Sequence, residues 1–543
     1  MAAMINQQDT PEVAVLERTS DPASTVLAYH QRTKHRADGY ARGPETLDWD
    51  AQPDPWRTWQ GTSQIRLPLV SDGVAAPYAA LTGQAPVAPA PLTVVSVAAL
   101  MELSFGLSAW KEIGPDRWAV RCNPSSGNLH PTEAYVIVRD VPGLPDGVHH
   151  YDSSAHALAH RCAAVHSGGR LWIGLSSIHW RETWKYGERA FRYCQLDIGH
   201  AVGALEAAAA VLGWRPIPLD QLGSATTASL IGTDRVGDFS GAEHEEAELI
   251  LAIETGRSSE THANRLIPGA VTGWHGKADR LDPHSIYSWP IIADVAVASR
   301  GKHTHDHIGA AARVPSSPAP AARAATVILG RRSAQRYDRN YTMPLECFVR
   351  ILDACRPGPS SSLDLVLFVH SVEGVDPGLY ALPRDNAAAQ ANLRAALDPT
   401  FLWEPLAMLP DEFPLQRLVL ADSRKAIRAL TCHQAIAADA CMTLCLLSDF
   451  APLIEADPWR YRELHREAGR LGQRLYLEAE AAGLSGTGIG CFLDDEIHRL
   501  LGLGSAERQA LYHFAIGRGL TDTRITTSAA YGDRERSEAP VWP

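Results

Sequence analysis

Residues 329–337 read LGRRSAQRY, and the order of segments downstream of them decides the fold. After this basic segment come a Pro-Ser-Ser turn at Pro359–Ser361 and an apolar run at Leu363–His370. A long helical stretch at Trp459–Leu484 and a closing run, LYHFAIGR, at Leu511–Arg518 complete the series. The same order of features lies upstream: basic Tyr29–Arg36 (YHQRTKHR), Pro124–Ser126, Tyr135–Arg139 (YVIVR), Trp184–Gly213 and Leu249–Arg257 (LILAIETGR). Self-similarity in the order of elements is the mark of a repeated unit, so the chain reads as two diverged copies of one unit. The first copy carries an extra stretch, Gly43 to Pro91, whose LDWDAQPDPWRTWQG is dense in Asp, Pro and Trp and reads as an ordered surface wrap.

Within each copy, periodicity gives the elements. Ala201–Leu212 (AVGALEAAAAVL) and Leu471–Ala482 (LGQRLYLEAEAA) place small and apolar residues at i, i+3, i+4 and predict a core helix in each half, ended by glycine. Tyr135–Arg139, Leu363–Val369 and Leu249–Ile253 are short apolar runs of strand formers. Helices mixed with a few strands give an α+β or α/β class, and α+β is the expectation. Between the copies, Val295 to Thr326 is rich in small residues, Pro and Ser with no period, and reads as a linker. The expected division is residues 1–294, a linker at 295–326, and residues 327–543. His303, His305 and His307 fall in the linker without a third or fourth ligand type nearby, so no metal site is expected.

The chain has 543 residues, 45% hydrophobic and 21% charged, which excludes disordered and fibrous classes and allows two or more cores. A net charge of −12 argues against a nucleic-acid surface, whose affinity rests on clustered cations. Small molecules or proteins are the expected partners. The nine cysteines show no C-x-x-C pair and no zinc spacing, so reduced thiols in a cytoplasm are expected. The opening residues lack the features of a secretory signal, and the most apolar window, Ala201 to Gly213, includes Glu206 and is shorter than a bilayer span, so no membrane segment is expected.

Three segments carry chemistry. Arg331, Arg332 and Arg336, with Ser333 between them, concentrate planar guanidinium donors and a hydroxyl, a donor set that suits a phosphate; a cluster at a helix end serves equally as a solvated face or a cap. No Walker loop or strand-borne G-x-G-x-x-G is present. Asn123–Glu133 (NPSSGNLHPTE) offers Ser125, Ser126 and Asn128 as polar groups beside Gly127, where backbone can approach the edge of a flat ring; an ordinary loop has the same composition. Lys185 and Tyr186 set two proton-transfer groups side by side, although Lys185 could pair instead with Glu182 or Glu188.

RRSAQRY, PSSGN and the late GLSGTGIGCFLDD followed by a run ending in Gly-Arg resemble the flavin-dependent nitroreductase family. RCNPSSGNLHPTEAYVIV and WKYGERAFRYCQLDIGHAVGALEAAAAVLGW are similar, more narrowly, to the SagB/ThcOx branch of azoline dehydrogenases. The resemblance implies two fused nitroreductase-like domains that make within one chain the dimer such proteins form from two. It implies FMN between them, with Arg331, Arg332 and Ser333 at the phosphate and Pro124, Ser125, Ser126 and Asn128 facing the ring. Gly490 and Cys491 match where the family's backbone nears the isoalloxazine. Gln335 stands where the family has a basic residue, with Arg336 one place later.

The reciprocal motifs are altered, to Arg32-Thr33-Lys34-His35 and to Pro359-Ser360-Ser361-Ser362-Leu363, so one FMN per chain is expected. Lys185 and Tyr186 match the Lys-Tyr motif implicated in catalysis by the azoline dehydrogenases. The implied activity is dehydrogenation of a peptide- or amino-acid-derived heterocycle, with oxygen or another acceptor reoxidising the flavin. An NAD(P)H-dependent nitro or quinone reductase and a non-catalytic subunit of a biosynthetic complex are the alternatives.

Overall fold

The structure, a computed structural model, describes residues 21–163, 170–219, 221–256, 273–282, 284, 287–302, 314–410 and 413–537. Two seven-stranded antiparallel sheets dominate it, one in each half. The first half contributes Thr132–Val138, Gly147–Asp152, Leu171–Ser177, Arg215–Pro218 and Glu246–Glu254 as its inner strands; the second contributes Leu363–Val369, Gly378–Leu382, Met442–Asp449, Ser485–Ile489 and Arg508–Gly517. Taken in chain order, the five strands of each set lie across the sheet as second, first, third, fifth, fourth. Two outer strands extend each sheet beyond the second strand. The fold is therefore α+β and duplicated.

A long helix follows the third inner strand in each half, Ala190–Ala210 and Arg460–Ala481. These two helices cross at glycines. A Cβ on Gly199 would overlap the Arg466 carbonyl, and one on Gly469 would overlap the Leu196 carbonyl. Helix backbones approach this closely only where the side chain is absent, so the crossing is built into the two sequences. Sequence periodicity implied one stretch from Trp184, but the chain breaks at Gly187, with φ of 54° and the Arg42 carbonyl against it, into His179–Tyr186 and the longer helix.

Each half also lends an arm to the other. The first-half helix Pro22–Arg32 packs Val26 and Tyr29 into one core with Phe450, Tyr461 and Leu464 of the second half. Conversely, the late strand Thr526–Ser528 pairs with the first-half hairpin Leu107–Ile113 and Asp116–Arg121, and the Tyr531 hydroxyl donates to the Ser153 carbonyl at 2.8 Å. Asp494 joins the halves from inside, accepting from Arg189 at 2.9 Å, Arg192 at 2.8 Å and the His35 amide at 3.0 Å. Buried charges require this kind of pairing, and the guanidiniums hold the Asp494 carboxyl well below the usual range against the cost of burial.

Two boundaries differ from the periodicity reading. Helix Pro290–Ala298 runs into the expected linker, with Pro at its first position and Ile292, Val295 and Ala296 buried. Helix Ala324–Gly330 begins inside the linker's other end and buries Val327 and Ile328 in the first-half core. Short apolar stretches among Ala and Ser gave too little signal to separate them from loop. The linker histidines, the amino-terminal lead and Arg257 lie outside the described residues. Among the described residues no helix is long and apolar enough to cross a membrane, and no group of three metal-ligating side chains is present.

Candidate functional site

A cavity of about 610 Å³ opens between the halves, within the usual range for small-molecule sites. Of the residues singled out from sequence, Pro124, Ser125, Ser126, Asn128, Tyr186, Arg331, Arg332, Ser333, Gln335, Gly490 and Cys491 line it. Arg336 is not among the lining residues. Lys185 borders the cavity beside Gly127.

One end is cationic. Arg331 directly follows the Ala324–Gly330 helix and is 3% exposed. Its Nη2 donates to the Arg121 carbonyl at 3.0 Å and its guanidinium lies 4.9 Å from the Tyr476 ring centre, whereas Nε and Nη1 have no hydrogen-bond partner. Arg332 donates to the Leu329 and Arg331 carbonyls and, at 3.0 Å, to the Ser108 carbonyl. Burial lowers the pKa of both groups, that of Arg332 to about 10 with Arg331 adding to it. Lys111, also on the wall, is lowered by burial and by Arg332. The nearby carboxylate, Glu480, is itself pushed up by burial. Ser333 Oγ lies 2.8 Å from the Tyr476 hydroxyl, which accepts from the Gly488 amide at 3.0 Å.

The opposite wall is the loop at 124–130. It turns through left-handed backbone at Gly127 and Asn128, both with φ of 60°, and Asn128 Nδ2 anchors it by donating to the Ala119 carbonyl at 2.9 Å. Ser126 donates its amide to Asp197 at 3.1 Å and its hydroxyl at 2.9 Å. Burial pushes the Asp197 carboxyl up to about 7, against the lowering effect of these serine bonds. Lys185 and Tyr186 meet this loop together: a Cβ on Gly127 would lie 2.6 Å from the Tyr186 hydroxyl and 3.3 Å from Lys185 Nζ. Burial lowers the Lys185 pKa, with Glu182 opposing, and raises that of Tyr186. Glu188 is taken by Arg32 at 2.6 Å, so the surface pairing with Lys185 is not made there.

The floor comes from the crossing helices and the strand Ser485–Ile489. Glycine is required in that strand and just after it, since a Cβ on Gly488 would overlap the Tyr512 hydroxyl and one on Gly490 would overlap the Tyr193 ring. The Gly490 carbonyl accepts from Arg189 at 3.1 Å and Tyr193 at 3.3 Å. Cys491 Sγ stands 2.7 Å from Cys432 Sγ.

The altered counterpart motif is occupied by its own partners. Arg32 pairs with Glu188, and Lys34 and Arg36 share Asp495 at 2.8 and 3.1 Å, so each cation of this segment already has a carboxylate contact. Lys111, Asp197, Tyr193, His200, Tyr476 and Tyr512 also line the cavity and were not singled out from the sequence. A signal existed for two of them: Asp197 and His200 are polar residues beside Gly199 at the start of the helix's small, apolar stretch.

Residues 328–518 match the family model described as the nitroreductase family. A protein of Methanocaldococcus jannaschii assigned by name to the nitroreductases is 28% identical over 138 residues, 23% of this chain and 66% of that relative. The crystal structure of a protein of Anabaena variabilis, also assigned to the nitroreductases, superposes on 91% of this chain and 99% of its own with a TM-score of 0.65 at 21% identity. A chain of the Escherichia coli microcin synthetase McbBCD complex covers 34% of this chain and 67% of its own with a TM-score of 0.25 at 14% identity, too little to bear on this protein. By fold, the protein is of the nitroreductase type across both halves. The match to the nitroreductase-family model lies within its second half.

Proposed function

We propose that the protein is an FMN-dependent dehydrogenase of the SagB/ThcOx kind, acting on a peptide- or amino-acid-derived heterocycle, with one flavin site per chain composed from both halves. The observation that carries this reading is the cavity whose cationic end is Arg331 and Arg332 and whose opposite wall is the Ser125–Asn128 loop. The residues fit the cofactor. A buried guanidinium with two unpartnered nitrogens and no carboxylate bonded to it is costly unless an anion completes it, and a phosphate accepts from such a fork. Glycines at 488 and 490 keep the floor open against Tyr512 and Tyr193, as a flat ring requires.

Bound FMN supplies the hydride acceptor for a dehydrogenation. The chain supplies proton handling beside it. Removing a hydride from one ring atom of the substrate leaves a proton to be taken from its neighbour. Lys185 Nζ, held at lowered basicity in a half-buried position, is suited to accept that proton, and the Tyr186 hydroxyl to orient the substrate's polar edge. Asp197 fixes the loop on which both act, through Ser126.

The visible spectrum of the purified protein, with flavin counted per chain after denaturation, tests the site. About one FMN per chain, lost in Arg332→Ala and in Asn128→Ala, is expected. Two per chain would overturn the single composite site, and none after reconstitution would overturn the flavoenzyme reading and favour a non-catalytic subunit. Rapid bleaching by NAD(P)H alone would identify a reductase instead.

A further inference from the structure

Cys432 and Cys491 are far apart in sequence, yet their sulfurs stand 2.7 Å apart at the rim of the cavity. Both are half-buried, whereas Cys122, Cys162, Cys194, Cys355, Cys441 and Cys445 are buried. Cys432 is held in place by strained backbone: it and His433 take φ of 53° and 62°, consecutive left-handed positions that non-glycine residues rarely adopt. Gln434, just beyond, ties the loop to the other thiol by donating to the Cys491 carbonyl at 3.1 Å.

The surroundings distinguish the two sulfurs. His35 hydrogen-bonds Cys491 through its side chain, and its Nδ1 accepts from the Ala41 amide at 3.0 Å. An Nδ1 that accepts cannot carry a proton, so the neutral ring has its N–H at Nε2, free to donate to the Cys491 sulfur. The Cys432 sulfur lies 2.7 Å from the same sulfur and favours its ionised form, and the Arg189 guanidinium lies close by. Together they favour the Cys491 thiolate, bringing its pKa down to about 5, while the Cys432 thiol is pushed up. His35 reaches this place because its amide is fixed by Asp494 and its backbone makes an isolated parallel bridge to Leu493.

We propose that Cys432 and Cys491 form a redox-active dithiol, with Cys491 as the nucleophile and Cys432 as the resolving thiol, which low-molecular-weight disulfides convert to a disulfide at the cavity rim. The Cys491 thiolate attacks one sulfur of the small disulfide, forming a mixed disulfide and expelling a thiolate. Cys432 then attacks the Cys491 sulfur, its proton leaving with the second small thiol. Two protein thiols are oxidised and one small disulfide is reduced to two thiols, with electrons and protons balanced. The product joins the Thr431–Gln434 loop covalently to the segment following the Ser485–Ile489 strand.

The test is incubation of the full-length protein with oxidised glutathione, followed by intact mass and peptide mapping. The wild type should lose two hydrogens and yield a peptide joining Cys432 to Cys491. Cys432→Ser should instead retain one glutathionyl group on Cys491, and Cys491→Ser should show neither product. His35→Phe should slow adduct formation in the Cys432→Ser background by about tenfold. Cys347→Ser, which alters the other half-buried thiol, should react like the wild type. A wild type that keeps all its thiols, a stable adduct on Cys491 without the link, or equal adduct formation on Cys432 in the Cys491→Ser variant would overturn the assignment. None of these readouts requires flavin, so they stand apart from the test of the proposed function.

Discussion

Ser126 donates both its amide and its hydroxyl to Asp197, and the pairing recurs in the second half, where Glu467 accepts from the Ser362 amide at 3.2 Å and from the Ser361 hydroxyl. Asp197 and Glu467 each stand two residues before the glycine at which the long helices cross. A carboxylate thus clamps the Pro-Ser-Ser turn in both copies, although the second lacks the Asn. Its presence where Lys34 and Arg36 already pair with Asp495 fits a structural duty: it ties each turn to the helix crossing.

That crossing yields the first prediction. Gly→Ala within a helix ordinarily stabilises by about 1 kcal/mol through propensity. At Gly199 the added Cβ would overlap the Arg466 carbonyl, and backbone cannot rotate away as a side chain can. Gly199→Ala is expected to destabilise by about 1–3 kcal/mol net, the usual cost of overpacking, read as a lowered Tm in thermal unfolding.

Arg331→Met separates the roles of charge and volume. The variant removes a buried guanidinium with two unpartnered nitrogens, so the protein without cofactor is expected to gain stability in denaturant unfolding. Binding of FMN should weaken about 10- to 100-fold, as expected for losing a charge-assisted hydrogen bond of about 1.5–3 kcal/mol, while riboflavin, which lacks the phosphate, should bind unchanged. Equal loss for both ligands would place Arg331 away from the phosphate.

Lys185→Met and Tyr186→Phe test proton handling. Removing a positioned acid or base typically costs about 10²–10⁴-fold in rate. Lys185→Met is expected to lower substrate-driven flavin bleaching by such a factor, with flavin content unaltered because Lys185 borders the cavity beside Gly127 and not at its cationic end. Tyr186→Phe keeps the ring that packs edge-on against Tyr193 at 4.7 Å and should show the smaller loss. Stopped-flow absorbance reads both.

Asp197 sets a pH dependence. Its folded pKa of about 7 lies above the unfolded value, because burial disfavours the charged form. From about pH 4 to pH 7 the folded state therefore holds a proton that the unfolded state has released, and this group's contribution to stability falls as pH rises through that window, then levels off. Asp197→Asn keeps an acceptor for Ser126 and removes the titration. The difference in Tm between wild type and variant should shift in the variant's favour from pH 4 to pH 7 and be constant above it.

Much of the architecture was open to a sequence reading because it rests on local pattern. Leu363–Val369 is a strand with the bounds its apolar run implied, and the order of turn, strand, long helix and closing strand is the same in both halves. The Pro-Ser-Ser turns, the basic segment and the glycines of GTGIG announce themselves by composition. Helices Pro290–Ala298 and Ala324–Gly330 did not, because their residues are short, small and apolar and their burial comes from the other elements they meet.

What the sequence determined by itself was the duplication, the α+β class and the residue types able to hold a phosphate and line a ring. Only tertiary structure decided which of them meet. Arg331 stands in the cavity with Ser126 because two helices cross at Gly199 and Gly469, Lys185 meets the turn because Gly127 lacks a side chain, and Cys432 reaches Cys491 beside His35 because three distant segments converge there. Local periodicity encodes which face of an element is buried, but contact between elements depends on shape and burial summed over the whole chain, which no single stretch contains.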